Sequence, residues 1–482
     1  MKNKFLLATL VILLLFITIV AICCSTHTTT NVKQLQLDDG VTLRPSPRPT
    51  QVPRHGKLTE KERKWAEIAW KYFEIAYYPE TGIVSAVAGY PPITMWDIGS
   101  YLGALVAAYE LKIISAKEFN ERMTKLLTWF NTMDLFRNTL PNNFYSAETG
   151  LKVDNSNQPG EIGWSAADIG RLLIWFRIVK ERYSYHAEAV DRAVLRWDVT
   201  HLVDKDGTIW GAAVFGENFV HYQEGRLGYE EYFAKGYQLW GFNTEKASRS
   251  EPYSTIRIHT QDVPYDTRDP RTTYAHNYVV SESYILDGIE LNWDKATDPN
   301  QNIYIHSDKI MHEFANRVYQ VQEDNYTIAG KLTARTEHQL DGPPYFVYDT
   351  IFTDGYPWNT ITDKGEYSPE AACIATKAAF GLWVLWDTWY TDLLMDAVEH
   401  LYDPEKGWYS GKYELSGKPN KAITCNNNGI ILEILLFKEQ GKLLKFSGKD
   451  TYWGKFFSKR SLPSQCLPPW KYQKNLVITV HE

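Results

Sequence analysis

The chain has 482 residues, long for one compact domain and ordinary for a large helical toroid or for two domains. With a net charge of -7 nothing points to nucleic acid as a partner, and five cysteines are too few for a disulfide scaffold. The 17 Trp and 31 Tyr exceed what a core of Leu, Ile and Val calls for; they suit a long groove that takes flat, hydroxylated ligands, and aromatic-rich packing of a large domain is the alternative.

Phe5 to Cys24 carries no charge. Twenty helical residues cover roughly 30 Å, enough for a bilayer core. Lys2 and Lys4 precede the run, and Arg44, Arg48 and Arg54 follow at a distance, so an uncleaved signal anchor with the bulk of the chain outside the cytoplasm is expected. A cleaved signal peptide is the alternative for residues 1–24. Cys23-Cys24 after an apolar run raises a lipoprotein reading, although Ile22 is not the small residue such a cleavage site carries. Residues 25–58 are polar, with Pro45, Pro47, Pro49 and Pro53 close together, and read as a stalk.

Residues 59–458 read as the folded domain. Thr59-Glu60-Lys61-Glu62 is a capping box, and Trp65, Ile68, Ala69, Tyr72 and Phe73 follow at helical spacing. Tyr77 to Ala88 is a connection with Ile83-Val84 extended. Asp97 to Leu111 and Asp168 onward then open alike on Asp-Ile-Gly. A hydroxyl residue, Thr94 or Ser165, stands three positions before each Asp, which is N-cap spacing. Gly99, Gly103, Ala104, Ala107 and Ala108 let the first of these helices approach others closely. Ala116 to Met133 and Tyr185 to Val199 are their expected antiparallel partners, with Thr139 to Asn157 a loop.

Helices are expected over Leu227 to Trp240, Tyr274 to Gly288 and Tyr304 to Val321. The polar stretch Thr244 to Thr273 between them has no assignment, and a loop of that length is often functional. Asn325 to Glu366 is a second irregular region, dense in aromatics and Asp. Ser368-Pro369-Glu370 is expected to open a helix through Trp386, because proline at a first turn needs no N–H. Thr388 to Leu401, Gly429 to Phe437 and Tyr452 to Phe457 complete about twelve helices, and 459–482 is a tail. Aromatic, turn and glycine recur between pairs, as in Thr81-Gly82-Ile83, Thr149-Gly150-Leu151 and Lys406-Gly407-Trp408. The expected fold is all-α, an (α/α)6 toroid of paired helices with long irregular loops around one end. A solenoid of helical pairs is the rival, with more even repeats.

No phosphate loop, His-Glu-x-x-His helix, Gly-x-Ser-x-Gly elbow or calcium-loop pattern is present, and His259, His276 and His312 are not at ligand spacing. No metal and no cofactor is therefore expected. Carboxylates beside aromatics remain. Asp97 follows Trp96, Asp168 follows Trp164, Glu230-Glu231 lie beside Tyr229, and Glu370 comes after Trp358 and Tyr367. Glu282 sits in a Tyr-rich run. Glycoside cleavage needs two carboxylates across one bond, about 5–5.5 Å apart with retention and 6.5–9.5 Å with inversion. Glu282 or Glu370 could supply the acid, and Asp168 or Asp97 could orient water or substrate. The plainer explanation for helix-start acids is that they cap helices and complement the dipole.

The segments TMWDIGSYLGALVAAYELKIIS, SAADIGRLLIWFRI, YSPEAACIATKAAFGLWVL, KGWYSGKYE and TCNNNGIILEILLFK resemble a bacterial envelope family known as domain of unknown function 3131, from about Trp65 to Lys438. That family is similar to toroid carbohydrate enzymes of the glucoamylase-like and endo-β-1,2-glucanase groups. The resemblance implies an envelope or extracellular protein that acts on or binds a polysaccharide or oligosaccharide, in a cleft including Asp97, Asp168, Glu370, Trp408, Tyr409 and Asn427. It assigns no catalytic pair. A glycoside hydrolase-like protein, a non-catalytic glycan-binding or scaffold protein, and a structural solenoid for protein partners all stay open. The apolar amino segment departs from the family pattern and adds the lipid bilayer of the inner membrane as an expected partner, with the domain in the periplasm or outside the cell. A secreted form and the lipoprotein form are the alternatives.

Overall fold

In the computed structural model, eleven helices of five residues or more are found among the described residues. The described residues are 35–36, 42–43, 46, 48 and 50–446, without 251 and 274. The expected anchor, the helix at Tyr452 to Phe457 and the tail lie outside them. A unit spanning Met1–Pro47 holds the paired strands Leu35–Gln36 and Thr42–Leu43, and the unit Arg48–Glu482 holds the helices.

In chain order the helices are α1 Glu60–Ile75, α2 Met95–Glu110, α3 Ala116–Thr132, α4 Ala166–Arg182, α5 Ala187–Leu195 and α6 Tyr229–Leu239. They continue with α7 Glu282–Leu286, extended by a π-turn over Asp287–Leu291, then α8 Lys309–Ala329, α9 Thr376–Leu385, α10 Trp389–Val398 and α11 Cys425–Gln440. Six of these helices close a ring: α2 packs on α4, α4 on α6, α6 on α7, α7 on α9, α9 on α11 and α11 back on α2. The six inner helices are buried nearly all round, whereas outer helices such as α1 and α3 bury one stripe. Each fully buried Leu, Ile or Phe in that ring contributes about 1.5–3 kcal/mol.

Glycine sets the closeness of the ring. A Cβ on Gly236 of α6 would stand 2.0 Å from the Gly170 carbonyl oxygen of α4, and one on Gly103 of α2 would stand 2.2 Å from Glu433 Oε1 of α11. The capping box at α1 forms as its spacing dictates: Thr59 N–H donates to Glu62 Oε2 at 2.7 Å, and Glu62 N–H donates to Thr59 Oγ1 at 3.2 Å.

Several expectations need correction. The fold is not all-α, because short antiparallel strands fill the connections that lead into inner helices. Where a sixth outer helix would fall, the unassigned stretch forms the hairpin Tyr253–Ile258 with Gln261–Asp266, which packs on α8. Ser368-Pro369-Glu370 does not open a long helix. It makes a 3-10 turn over Pro369–Ala371, then strand Cys373–Ala375, and α9 begins at Thr376. The helix expected from Tyr274 starts at Glu282. The end of the expected stalk lies against the domain: Arg48 pairs with Glu323 and Asp324 of α8, and Arg54 donates to the carbonyl oxygens of Trp383 and Trp386 at the end of α9. No helix among the described residues is long and apolar enough to cross a membrane.

Candidate functional site

All six inner helices start at the same end of the ring, and the strand-bearing connections surround that end. Side chains from their first turns meet there. Trp96 of α2 donates its indole N–H to Glu282 Oε1 of α7 at 3.0 Å, and Asn426 Nδ2 of α11 donates to the same oxygen at 3.1 Å. Lys377 of α9 forms an ion pair with Glu282 and donates to Asn426 Oδ1 at 2.6 Å. Below them Arg171 of α4 donates to the Trp96 carbonyl oxygen at 3.2 Å and pairs with Glu433 at 3.1 Å. Burial alone would raise the Glu282 carboxyl, but Lys377 and Arg171 outweigh it and hold the group below its ordinary value. Glu282 is therefore an ionised, fully satisfied anchor. Ile285, Thr336, Ala378 and Ile430 close around Glu282 and Lys377 and leave no room for a water molecule between them.

A second group of acids stands nearer the solvent. Asp97 and Asp168 are half-buried at the starts of α2 and α4. Thr94 and Ser165 cap these helices, accepting the N–H of Asp97 at 3.2 Å and of Asp168 at 3.1 Å. Neither carboxylate closes the box. Asp97 Oδ2 instead accepts the Thr94 hydroxyl at 2.9 Å, and Asp168 Oδ1 lies 2.8 Å from Ser165 Oγ. The same Ser165 Oγ lies 2.7 Å from Glu224 Oε1, and Ala166 N–H donates to the other oxygen of Glu224. Burial pushes Asp97 up, Asp168 up to about 6 with Asp97 adding to it, and Glu224 up to about 7.

Aromatic rings lead away from these acids. Trp96 and Tyr229 have centroids 5.7 Å apart, Tyr229 and Tyr278 5.9 Å, and Tyr278 stacks on Tyr348 at 4.4 Å and 10°. The Tyr229 hydroxyl donates to Glu337, whose carboxyl burial raises. Trp96, Tyr278 and Tyr348 are half-buried, so parts of their surfaces remain open. Half-exposed rings beside carboxylates and amides form a surface that can stack on a pyranose and bind its hydroxyls.

The sequence-predicted residues divide into two sets. The structure brings together Asp97, Asp168, Glu282, Trp96 and Tyr229. It leaves Glu370 exposed on its 3-10 turn, bonded to Ser368 Oγ at 2.9 Å. Among the described residues no hydrogen bond or ring contact joins Glu370, the half-buried Trp358 or the exposed Tyr367 to the Trp96–Glu282 group. Trp164 is buried against Phe136, Phe219 and His221, and Trp408 is buried against Phe380 and Tyr402, so neither offers a face to a ligand. Asn427 spends its side chain on the Lys377 N–H and on the carbonyl oxygens of Trp408 and Tyr409, while its neighbour Asn426 points to Glu282. Tyr409 is half-buried, and its carbonyl also accepts the Thr376 hydroxyl at 2.7 Å.

Glu224, Glu337, Lys377, Arg171, Tyr278 and Tyr348 were not foreseen. Glu224 follows a hairpin strand and Glu337 sits in an irregular connection, so neither carries a local pattern. The signal for Glu224 is non-local: Gly211 on the neighbouring strand leaves the space, since a Cβ there would stand 2.4 Å from Glu224 Oε2. Among the described residues no group of three or more His, Cys, Asp or Glu is placed to hold a metal ion.

Solved structures share this fold at low identity. A glucoamylase-like protein of Bacteroides fragilis superposes with a TM-score of 0.55 and 13% identity, over 86% of this chain and 98% of its own. An endo-β-1,2-glucanase of Chitinophaga pinensis, in complex with sophorotriose and glucose, gives 0.52 and 12%, over 80% and 94%. An endo-β-1,2-glucanase of Talaromyces funiculosus, in complex with sophorose, gives 0.51 and 11%, over 80% and 84%. At these identities the likeness shows the toroid fold, and residue roles do not transfer. No curated protein matches the sequence. The model of one family, described as protein of unknown function (DUF3131), matches residues 64–441, and the chain belongs to that family.

Proposed function

We propose that the domain is a glycoside hydrolase-like protein that binds a neutral polysaccharide across the open end of its helical ring and cleaves it there. The observation that carries this reading is the placement of Asp168 and Glu224 on one hydroxyl, half-exposed, beside the ring surface of Trp96, Tyr278 and Tyr348. Asp168 Oδ1 and Glu224 Oε1, at 2.8 and 2.7 Å from one hydroxyl, stand closer than the roughly 6.5–9.5 Å of inversion and suit the shorter spacing of retention. The cations at this end are already committed, Lys377 to Glu282 and Arg171 to Glu433, so a uronic acid would meet mainly carboxyl groups. That favours a neutral glucan. The β-1,2-linked glucans handled by the fold's solved relatives are the first candidates.

The test is incubation of the full chain with β-1,2-glucan, β-1,3-glucan and polygalacturonate, followed by assay of new reducing ends. Release from a neutral glucan and none from the uronic polymer supports the reading. Release from none of them removes it. A non-catalytic glycan-binding role is the second reading, and the saturation of Glu282 by Lys377, Trp96 and Asn426 favours it. Retention on β-1,2-glucan without release would select it.

The uncharged run Phe5 to Cys24 supports placement of the domain outside the cytoplasm, tethered at the inner membrane. Digestion of the domain by protease added to intact spheroplasts tests this placement. Protection would contradict it.

A further inference from the structure

We propose that Glu224 and Asp168 hold one proton between them through Ser165, and that Glu224 delivers it to the glycosidic oxygen of a bound neutral glucan. The inference rests on the hydrolase reading and assigns the proton donor within it.

The argument is a count of protons on one oxygen. Ser165 Oγ accepts the Asp168 N–H at 3.1 Å and lies 2.8 Å from Asp168 Oδ1 and 2.7 Å from Glu224 Oε1. A serine hydroxyl has one proton to donate. It can satisfy one carboxylate oxygen, and the second contact at this length needs a proton from the other side. One of the two carboxyls is therefore protonated, and the chain carboxyl–hydroxyl–carboxylate allows the proton to move between them.

A plainer role for Glu224 is to cap α4, whose Ala166 N–H it accepts. A carboxylate that served only the helix dipole would be ionised, and it would have no cause to share a hydroxyl with a second acid. Asp97, close by, adds negative charge that makes full ionisation of the pair more costly. Burial acts in the same direction on both members.

The surroundings place this proton where a sugar would lie. Tyr222, Tyr278 and Tyr348 all feel the charge of Glu224, and Tyr278 and Tyr348 form the stacked part of the aromatic row. A pyranose on that surface would bring its glycosidic oxygen toward Glu224. In the reaction, the carboxyl proton passes to the glycosidic oxygen as the bond from that oxygen to the anomeric carbon breaks. The electron pair stays with the departing oxygen. Water adds its hydroxyl to the anomeric carbon, and its other proton returns to the pair.

The test uses the full chain with two probes, sophorotriose and dinitrophenyl β-sophoroside, whose leaving group needs no proton. Glu224→Gln is expected to slow sophorotriose cleavage by roughly a hundred- to ten-thousand-fold while sparing the dinitrophenyl probe. Ser165→Ala, which leaves both acids in place, should move the alkaline limb of the pH–rate profile downward. Infrared spectra should show a carboxylic-acid carbonyl band near neutral pH in the wild type that Glu224→Gln removes. Equal slowing on both probes, or no slowing, overturns the assignment and leaves the hydrolase reading intact. A wild type that cleaves neither probe removes the hydrolase reading and the donor role with it. Absence of the infrared band overturns the shared proton whether or not the protein hydrolyses anything.

Discussion

Trp96 and Glu282, 186 residues apart, are joined by an indole-to-carboxylate hydrogen bond of 3.0 Å across the end of the helical ring. Glu282 also takes Lys377 and Asn426, so one buried carboxylate ties the starts of α2, α7, α9 and α11. That connectivity explains why its carboxyl is held below the ordinary value.

Removing one member of a buried ion pair strands the other charge, at a cost of about 3–5 kcal/mol. Glu282→Gln should therefore lower unfolding free energy by about 3 kcal/mol in urea titrations, and Glu282→Leu combined with Lys377→Met should lose less. A loss under about 1 kcal/mol, the size expected of an exposed pair, would contradict this account.

The contact of α4 with α6 depends on Gly236, where a Cβ would stand 2.0 Å from the Gly170 carbonyl oxygen. Both atoms belong to buried backbone that has nowhere to go. Gly236→Ala is expected to cost about 2 kcal/mol or more. Gly342→Ala is the control: nothing lies within 4 Å of its would-be Cβ, so its unfolding midpoint should match the wild type.

Acidity offers a third check. The carboxyls of Glu224 and Asp168 are raised to about 7 and about 6 in the folded chain, against ordinary values of 4.5 and 3.8. The folded state binds their protons more tightly than the unfolded state does. The stability they contribute is full at pH values below 3.8 and is lost as pH rises through about 6 and then about 7. Glu282 works the other way: its contribution is present above its ordinary value of 4.5 and is lost as pH falls through its depressed folded value. In thermal scans across pH, Glu224→Gln should flatten the decline between 4.5 and about 7. An unchanged slope in the variant would count against a protonated pair.

The stacked rings predict a binding effect separable from catalysis. Tyr348→Ala removes one face of the Tyr278–Tyr348 stack, which is half-exposed beside the acids. Retention on immobilised β-1,2-glucan should weaken by about 1 kcal/mol, roughly fivefold. Tyr185→Ala, on an exposed side chain just past the C-terminal end of α4, should leave retention unchanged.

Much of the ring was legible in the sequence because its signals are local. Thr59 with Glu62, and the hydroxyls of Thr94 and Ser165 three positions before an Asp, marked helix starts that the structure bears out. Apolar, small-residue runs marked the inner helices. The failures share one cause. Pro369 satisfies a first-turn rule, but pairing of Cys373–Ala375 with Gly411–Tyr413 draws the following residues into a strand. Glu370 then sits outside the cluster it was expected to join. Trp164 and Trp408 looked like ligand platforms because indoles beside acids are common in sugar clefts, yet both are core residues whose N–H groups bond to the carbonyl oxygens of Trp210 and Trp65. Glu224 has no pattern of its own, and only the fold brings it to Ser165.

The most direct measurement is release of reducing ends from β-1,2-glucan by the full chain, compared with Glu224→Gln, Asp168→Asn and Glu370→Gln. The account predicts release by the wild type, near-complete loss in the first two variants and wild-type release in the third. Loss of release in Glu370→Gln with full activity in Glu224→Gln and Asp168→Asn would contradict it.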